Sequence, residues 1–338
     1  MKTLRYLLAG LCIAGLSLLA VSPALAAPKR PLKIGLAVYG LRGEFMKMLT
    51  NWVQDHPAVK NGDVRITVFD GRYDPNVQND QFDSMIVQQF DGIIFVPIDY
   101  EAGSRSVEKA VAEGIPVVGS NTRISKIDLL AAYVGNNDVR AGEMEAQSVV
   151  DRIGGKGNVV IIEGPIGQSA QIERRKGNLN VLQKYPDIKV LDMKPGNWDR
   201  ALALSLMENW LTAYPGKING VIGQNDDLGL GAIQAIKAAG LKVSDFAVVG
   251  VDGIKDAFAA ARAGEIVSVL QDSKAQGQGA LDVLLRHIIG PEYKPQSDIW
   301  EFYGDRMPWN GGNEKHYDIP WTLITAQNAD SLARQVLK

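Results

Sequence analysis

The residues with chemistry to offer are polar ones placed where apolar runs end: Tyr39, Asp70, Asp99, Asn121, the trio Asn225, Asp226 and Asp227, then Asp252 and Gln271. Carboxylates and amides supply acceptors and donors for hydroxyl groups. Hydrolytic chemistry would need a nucleophile, a base or a metal beside carboxylates such as Asp99, Asp226 and Asp252. None accompanies them. His56, His287 and His316 are far apart in polar contexts, which reads as surface imidazoles, and no HExxH or other ligand spacing occurs. Gly167-Gln168-Ser169-Ala170-Gln171 misses the nucleophile-elbow pattern, which needs glycine two places on either side of the serine. Asp74, Asn76, Gln78 and Asp80 alternate like half a calcium loop but lack its turn glycine and twelfth-position glutamate, so they read as a helix start. No catalytic residue, metal site or cofactor is expected.

The elements that must position these groups alternate in period. KIGLAVYG from Lys33, RITVFDG from Arg65, GIIFVPI from Gly92, IPVVGS from Ile115, NVVIIEG from Asn158, INGVIGQN from Ile218, AVVGVDG from Ala247 and IVSVLQD from Ile266 are near-continuous Val/Ile runs. Such runs indicate strands covered on both faces, as parallel sheets require. Between them Phe82, Met85, Ile86 and Phe90 share one helical face, as do Leu206, Trp210, Leu211 and Tyr214. Asp199 marks a helix start, Gly114 and Gly240 mark stops, and Pro186 and Pro215 lie beyond two others. This βαβ repetition makes the fold α/β with right-handed crossovers, and its eight to ten expected strands suit two sheets better than one. Ligands of open α/β sheets bind at the carboxyl ends of strands, where the polar residues above fall. GGKGN at Gly154 follows a helix and precedes a strand, the reverse of a phosphate loop. GLGAIQ at Gly229 lacks the third glycine of a dinucleotide fingerprint and lies within a helix.

Composition agrees with a folded soluble chain: 338 residues, 46% hydrophobic and 22% charged, with a net charge of −2 and no basic run that would suit nucleic acid. The opening residues 1–26 read as a cleavable export signal, with Lys2 and Arg5, an apolar stretch from Leu7 to Val21, and Ala24-Leu25-Ala26 before Ala27. The sole cysteine, Cys12, would leave with it. An exported chain without thiols has neither disulfides nor cysteine ligands, so core burial alone must hold it together.

Several segments resemble the periplasmic sugar-binding proteins of the ribose and galactofuranose type: QNDDLGLGAIQAIKAAGL (Gln224 to Leu241), VVGVDG (Val248 to Gly253), NWDRALAL (Asn197 to Leu204), FVPID (Phe95 to Asp99) and GIPVV (Gly114 to Val118). Sugar-responsive repressors share the domain but begin with a DNA-binding helix pair, where this chain has an export signal. The resemblance implies a type I periplasmic binding fold: two doubly wound parallel-sheet lobes joined by a three-segment hinge. The N-terminal lobe would hold 31–134 plus 272–321, and the C-terminal lobe 135–271 plus 322–338. It implies ligand contacts from Tyr39, Phe45, Met46, Gln81 and Asn121 on one lobe, and from Trp198, Asn225, Asp252 and Gln271 on the other. Gly43 would shape the first loop. Trp198 suits core packing as well as a sugar face, and Asn225 and Asp252 suit helix capping alongside binding. Asp99 and Asp226 read as caps.

Two departures stand out. Ribose-type binders carry an Asp-Arg pair after the fourth strand, where this chain has Asn121-Thr122, and an arginine after the sixth, where it aligns Ile172. Arg42, Arg72 and Arg123 are the neighbouring candidates to replace those charges. The aromatic segment from Ser297 to Asp318, with Trp300, Phe302, Tyr303, Trp309 and Tyr317, is longer than ribose binders carry and fits a packed surface loop, a border of the cleft or a border of the transporter-facing surface. The expected function is a periplasmic, monomeric solute-binding component of an ABC importer. It would deliver a small sugar or polyol to the membrane permease and its ATPase. The alternative is an exported sensing subunit for a chemoreceptor or histidine kinase.

Overall fold

All but one of the eight Val/Ile runs become strands buried on both faces, because helices cover each side of the sheets they form; RITVFDG becomes an edge strand with Arg65 and Thr67 exposed. The structure is a computed structural model and describes residues 30–337. The export-signal reading of residues 1–26, with Cys12, lies outside the described residues. The first sheet contains β1 (Leu32–Val38), β2 (Val64–Asp70), β3 (Gly92–Phe95), β4 (Val117–Ser120) and β5 (Ala132–Gly135). The second contains β6 (Gly157–Glu163), β7 (Ile188–Pro195), β8 (Gly220–Gly223), β9 (Ala247–Asp252) and β10 (Val267–Leu270). Late in the chain, β11 (His316–Asp318) joins β5 in parallel and β12 (Thr322–Ile324) joins β10 antiparallel.

The two sheets share one topology. Their orders are β11-β5-β4-β3-β1-β2 and β12-β10-β9-β8-β6-β7, so each is doubly wound, with a switch point between β1 and β3 and another between β6 and β8. The α/β architecture expected from the sequence is therefore present. The chain leaves the first sheet after β5, returns after β10, and crosses again between β11 and β12. Helix Asp138–Ile153 packs under β8, β9 and β10, and helix Ser273–Ile289 packs on β3, β4 and β5, so each crossing leads into the opposite layer system.

Local chemistry sets the helix boundaries. Asp74 accepts from Asn76 N–H at 2.8 Å ahead of Pro75, so the alternating oxygens do start a helix, Pro75–Val87. Asp199 caps Arg200–Ala213 by accepting from Ala201 and Leu202 N–H. Gly154 ends Asp138–Ile153 in the left-handed region at φ 68°, a conformation glycine adopts at no steric cost. No helix among the described residues is long and apolar enough to cross a membrane.

His56 differs from its surface reading. It is fully buried, and its Nδ1 accepts from Ala58 N–H, which places the proton on Nε2, 3.1 Å from Asp282 Oδ1. Asp282 is the hub beneath the aromatic segment. It also accepts from Tyr293 Oη at 2.6 Å, Trp300 Nε1 at 2.9 Å and the Ser297 hydroxyl. Burial alone would raise its pKa, but hydrogen bonds from His56, Ser297 and Tyr293 outweigh it and hold the carboxyl below the ordinary aspartate value. Trp300 meets Trp309 and Tyr317 edge to face above this hub, so the segment packs into the main core along helix Ser273–Ile289 and lines no part of the cavity described below.

Candidate functional site

The carboxyl ends of both sheets face one another across a nearly closed cavity of about 10 Å³, every lining residue of which is buried. That is far below the roughly 300–1,000 Å³ usual for bound small molecules, so anything larger than a water must part the two walls to enter. From the first lobe come Tyr39 at the end of β1, Phe45 at the start of helix Glu44–Gln54, and Asn121 and Thr122 after β4. From the second come Asn225 after β8, Asp252 closing β9, Gln271 after β10, Trp198 on the loop after β7, and Gln168, Ala170 and Arg174 after β6. A larger open groove lies at the amino ends of β8 and β9 and contains none of the strand-end groups singled out from the sequence.

The two walls differ in character. On the first lobe Thr122 Oγ1 donates to Pro97 O at 2.7 Å, and Asn121 Nδ2 donates to Gln276 Oε1 at 3.2 Å, so these two groups are engaged elsewhere. Asn121 holds φ 62°, a left-handed conformation that asparagine tolerates, and its carbonyl accepts from Tyr133 Oη at 2.7 Å. This wall also presents the rings of Tyr39 and Phe45, and the buried Tyr39 hydroxyl lies in the field of Asp252 and Arg174 opposite. The second wall is ionic and amide-rich. Asn225 Oδ1 caps helix Asp226–Ala238 through Leu228 N–H at 3.0 Å, while its Nδ2 donates to Asp252 Oδ2 at 3.3 Å. One residue thus both caps and faces the cavity. Gln271 Nε2 is buried without a partner, a donor that a hydroxyl oxygen would satisfy.

Arg174 was missed from sequence. Ile172, the aligned position, points outward and is exposed, whereas Arg174 two residues on is buried in the wall. Its Nε donates to Asp138 Oδ1 at 2.8 Å, Nη1 to Gln224 O at 2.6 Å and Nη2 to Gln271 Oε1 at 3.2 Å. The cavity therefore has the arginine that the alignment had placed in doubt. The signal available was helical spacing: Ala170 and Arg174 are four residues apart and so share the face of helix Ser169–Leu182 that lines the cavity. Thr122 and Gln168 carried no such signal. Gln168 enters because Trp198 Nε1 donates to its Oε1 at 2.7 Å.

Two expected contacts are not in the cavity wall. Met46 is fully buried in the core behind Phe45, because adjacent helical residues point to different faces. Gln81 donates from Nε2 to Asp70 O at 2.8 Å, which ties it to the end of β2 at the rim. Arg72 and Arg123 also lie outside. Arg123 packs over the Tyr133 ring and donates to Asn136 O, and Arg72 N–H donates to Asp70 Oδ1. Arg42 is likewise absent from the lining.

Electrostatics at the site are dominated by burial. Asp252 is raised well above the ordinary aspartate value by burial and by the neighbouring Asp226, against the opposing pull of Arg174. Burial also raises Asp226 to about 6, although Ser268 Oγ and the N–H groups of Ile254 and Gly253 donate to it. Those donors occupy both oxygens of Asp226, as Glu101 and Ala102 N–H occupy Asp99 Oδ1, so these carboxylates serve as structural acceptors. Among the described residues no group of three or more His, Cys, Asp or Glu could hold a metal ion. The arrangement can desolvate, hydrogen-bond and stack.

A family described as periplasmic binding protein domain matches residues 34–292. The xylitol-binding protein of Mycolicibacterium smegmatis is 41% identical over 222 residues, which is 65% of this chain and 63% of that protein, so the match spans under two thirds of its length. The ribose import binding protein of Bacillus subtilis (strain 168) is 32% identical over 70% of this chain and 75% of its own. An ABC transporter solute binding protein from Bacillus halodurans C-125, solved with bound myo-inositol, superposes with a TM-score of 0.79 at 26% identity over 91% of this chain and 99% of its own. These relatives are binding proteins and not enzymes, in agreement with the expectation that this chain catalyses nothing. By that family match and the shared two-lobed architecture, the chain belongs to the periplasmic binding protein family.

Proposed function

We propose that this protein is the periplasmic solute-binding component of an ABC importer, taking up one small sugar or polyol between its lobes and presenting the closed form to the membrane permease, which its ATPase drives. The observation that carries this is the composition of the cavity: the aromatic residues Tyr39 and Phe45 line it opposite Asp252, Asn225, Gln271 and Arg174. A polyhydroxylated carbon skeleton has one apolar side for stacking and a rim of hydroxyls for charged and amide groups. Relatives that bind xylitol, ribose and myo-inositol support the class.

In this reading Tyr39, Phe45, Asn121 and Trp198 enclose the skeleton, while Asn225, Asp252, Gln271 and Arg174 bind its hydroxyls. Residues 31–134 with 272–321, and 135–271 with 322–338, are the two moving lobes. The protein acts as a monomer after residues 1–26 are cleaved as a signal. Closure requires open and closed states separated by only a few kcal/mol, which a ligand selective for the closed state shifts. Calorimetry and thermal melting with xylitol, D-ribose, D-xylose, L-arabinose and myo-inositol test it. A compound at 100 times its Kd adds about 2.7 kcal/mol of stability. Binding of at least one is expected, and a melting temperature unmoved by all five would overturn the reading.

A further inference from the structure

Arg42 sits behind the cavity wall, on the loop between β1 and helix Glu44–Gln54, with about half of its side chain exposed (53%). Its guanidinium touches the supports of Tyr39 on one wall and of Trp198 on the other. On its own lobe it lies over the Tyr73 ring, 4.3 Å from the centroid, and Tyr73 stands edge-on to Tyr39 with centroids 5.4 Å apart. Across the cleft Nη2 donates to Asn197 O at 3.0 Å and Nε lies 3.3 Å from Asp199 Oδ2. Between those two partners in the chain is Trp198.

Both supports share an unusual backbone. Arg72 and Tyr73 have φ 52° and 61°, and Asn197 and Trp198 have φ 53° and 55°, so each loop carries two successive left-handed residues that are not glycine. Large side chains hold that region only where their surroundings over-determine it. Each ring also lies against bare backbone. A Cβ on Gly40 would come within 2.2 Å of the Tyr73 ring, and one on Gly164 within 2.0 Å of the Trp198 ring. The two strained loops face each other across the cleft, and Arg42 bridges them.

We propose that Arg42 is a positioning residue that braces the Tyr39 and Trp198 walls against each other in the closed protein, raising affinity by the same factor for every compound the cavity accepts. The inference rests on the sugar or polyol reading of that cavity. Its contacts join opposite lobes and none reaches the cavity, so they favour closure without discriminating between solutes. A contact of that kind shifts the population of the closed state and leaves selectivity unchanged.

The test compares Arg42→Gln and Asp199→Asn with the unaltered protein. Asparagine caps a helix as well as aspartate does, so the second substitution removes the charge and keeps the helix start. Calorimetry with xylitol, D-ribose and myo-inositol is expected to show each bound compound weakened by one common factor in Arg42→Gln, roughly threefold to tenfold. Tryptophan-fluorescence kinetics should assign the loss to faster dissociation. The double variant should lose less than the product of the two single losses, because both remove one contact. Factors that differ from compound to compound, or an unchanged Kd, would overturn the role of Arg42 while leaving the cavity assignment standing. Failure of the unaltered protein to bind any of these three, D-xylose or L-arabinose would overturn both.

Discussion

Arg174 and Asp138 join the cavity wall to the first hinge crossing: the guanidinium Nε donates to the carboxylate at 2.8 Å, and both side chains are almost wholly buried. Asp138 begins the helix that follows the crossing after β5. The same guanidinium donates to Gln271, next to the return crossing after β10, and lies 6.0 Å from the ring of Trp321, between β11 and β12. One side chain thus lines the cavity and lies beside all three places where the chain changes lobe.

Arg174→Lys is expected to weaken solute binding at least tenfold, because an ammonium cannot reproduce three divergent donors. Removing the charge in Arg174→Met leaves Asp138 buried and unpaired and should cost about 3–5 kcal/mol of stability. Calorimetry reads the first and denaturant melts the second. Full affinity in the lysine variant would remove Arg174 from the site.

Asp252→Ala and Asn225→Ala should each reduce affinity by about an order of magnitude or more, since each strands a hydroxyl in a dry cavity. Melting of the ligand-free Asp252→Asn protein should stay close to that of the unaltered one, because the amide keeps the shape and burial already disfavours the charge. Equal Kd values would exclude these residues from binding.

Gly164→Ala tests the seat of Trp198. The added methyl meets the indole at 2.0 Å, and the indole is tied through Nε1 to Gln168. The ring must move, so affinity should fall, and packing strain should cost about 1–3 kcal/mol. An unperturbed tryptophan emission spectrum with unchanged affinity would show that the ring does not form this wall.

Glu145 predicts a pH dependence. Burial raises its pKa to about 8, partly offset by Arg174 and by the hydrogen bond from Asn178. The folded protein therefore keeps a proton that the unfolded chain loses near pH 4.3. The associated stability is complete below that value and is lost as pH climbs towards 8. Glu145→Gln has no proton to lose, so its stability relative to the unaltered protein should grow across that window, by about 1 kcal/mol or more at the upper end. Parallel melting-versus-pH curves would contradict the assignment.

Asp282→Asn probes the hub under the aromatic segment. The neutral amide cannot accept everything that His56, Tyr293, Ser297 and Trp300 donate, and the expected cost is about 2–4 kcal/mol. Solute affinity should be unchanged, since the cluster lies away from the cavity. A loss of binding at constant stability would contradict that separation.

The eight Val/Ile runs, the caps at Asp74 and Asp199 and the strand-end positions of Tyr39, Asn225, Asp252 and Gln271 were legible in the linear chain, because period, capping and burial on both faces are local properties. β7 was not read: Ile188–Pro195 is a half-exposed edge strand whose mixed polar and apolar residues lack the continuous pattern of a covered one. The three-residue strands β11 and β12 carry too little pattern of their own and exist because neighbouring edges offer unpaired backbone groups.

Sequence alone determined that polar groups collect where parallel strands end, since the alternation of apolar runs and amphipathic stretches admits little else. Only the tertiary structure decided which of those groups face one space. Arg174 enters while Ile172 turns away, Met46 lies behind Phe45, Gln81 is held by Asp70 O, and His56 is buried on Asp282. Each depends on which helical face meets which sheet end across lobes far apart in the chain, and no local period encodes that pairing.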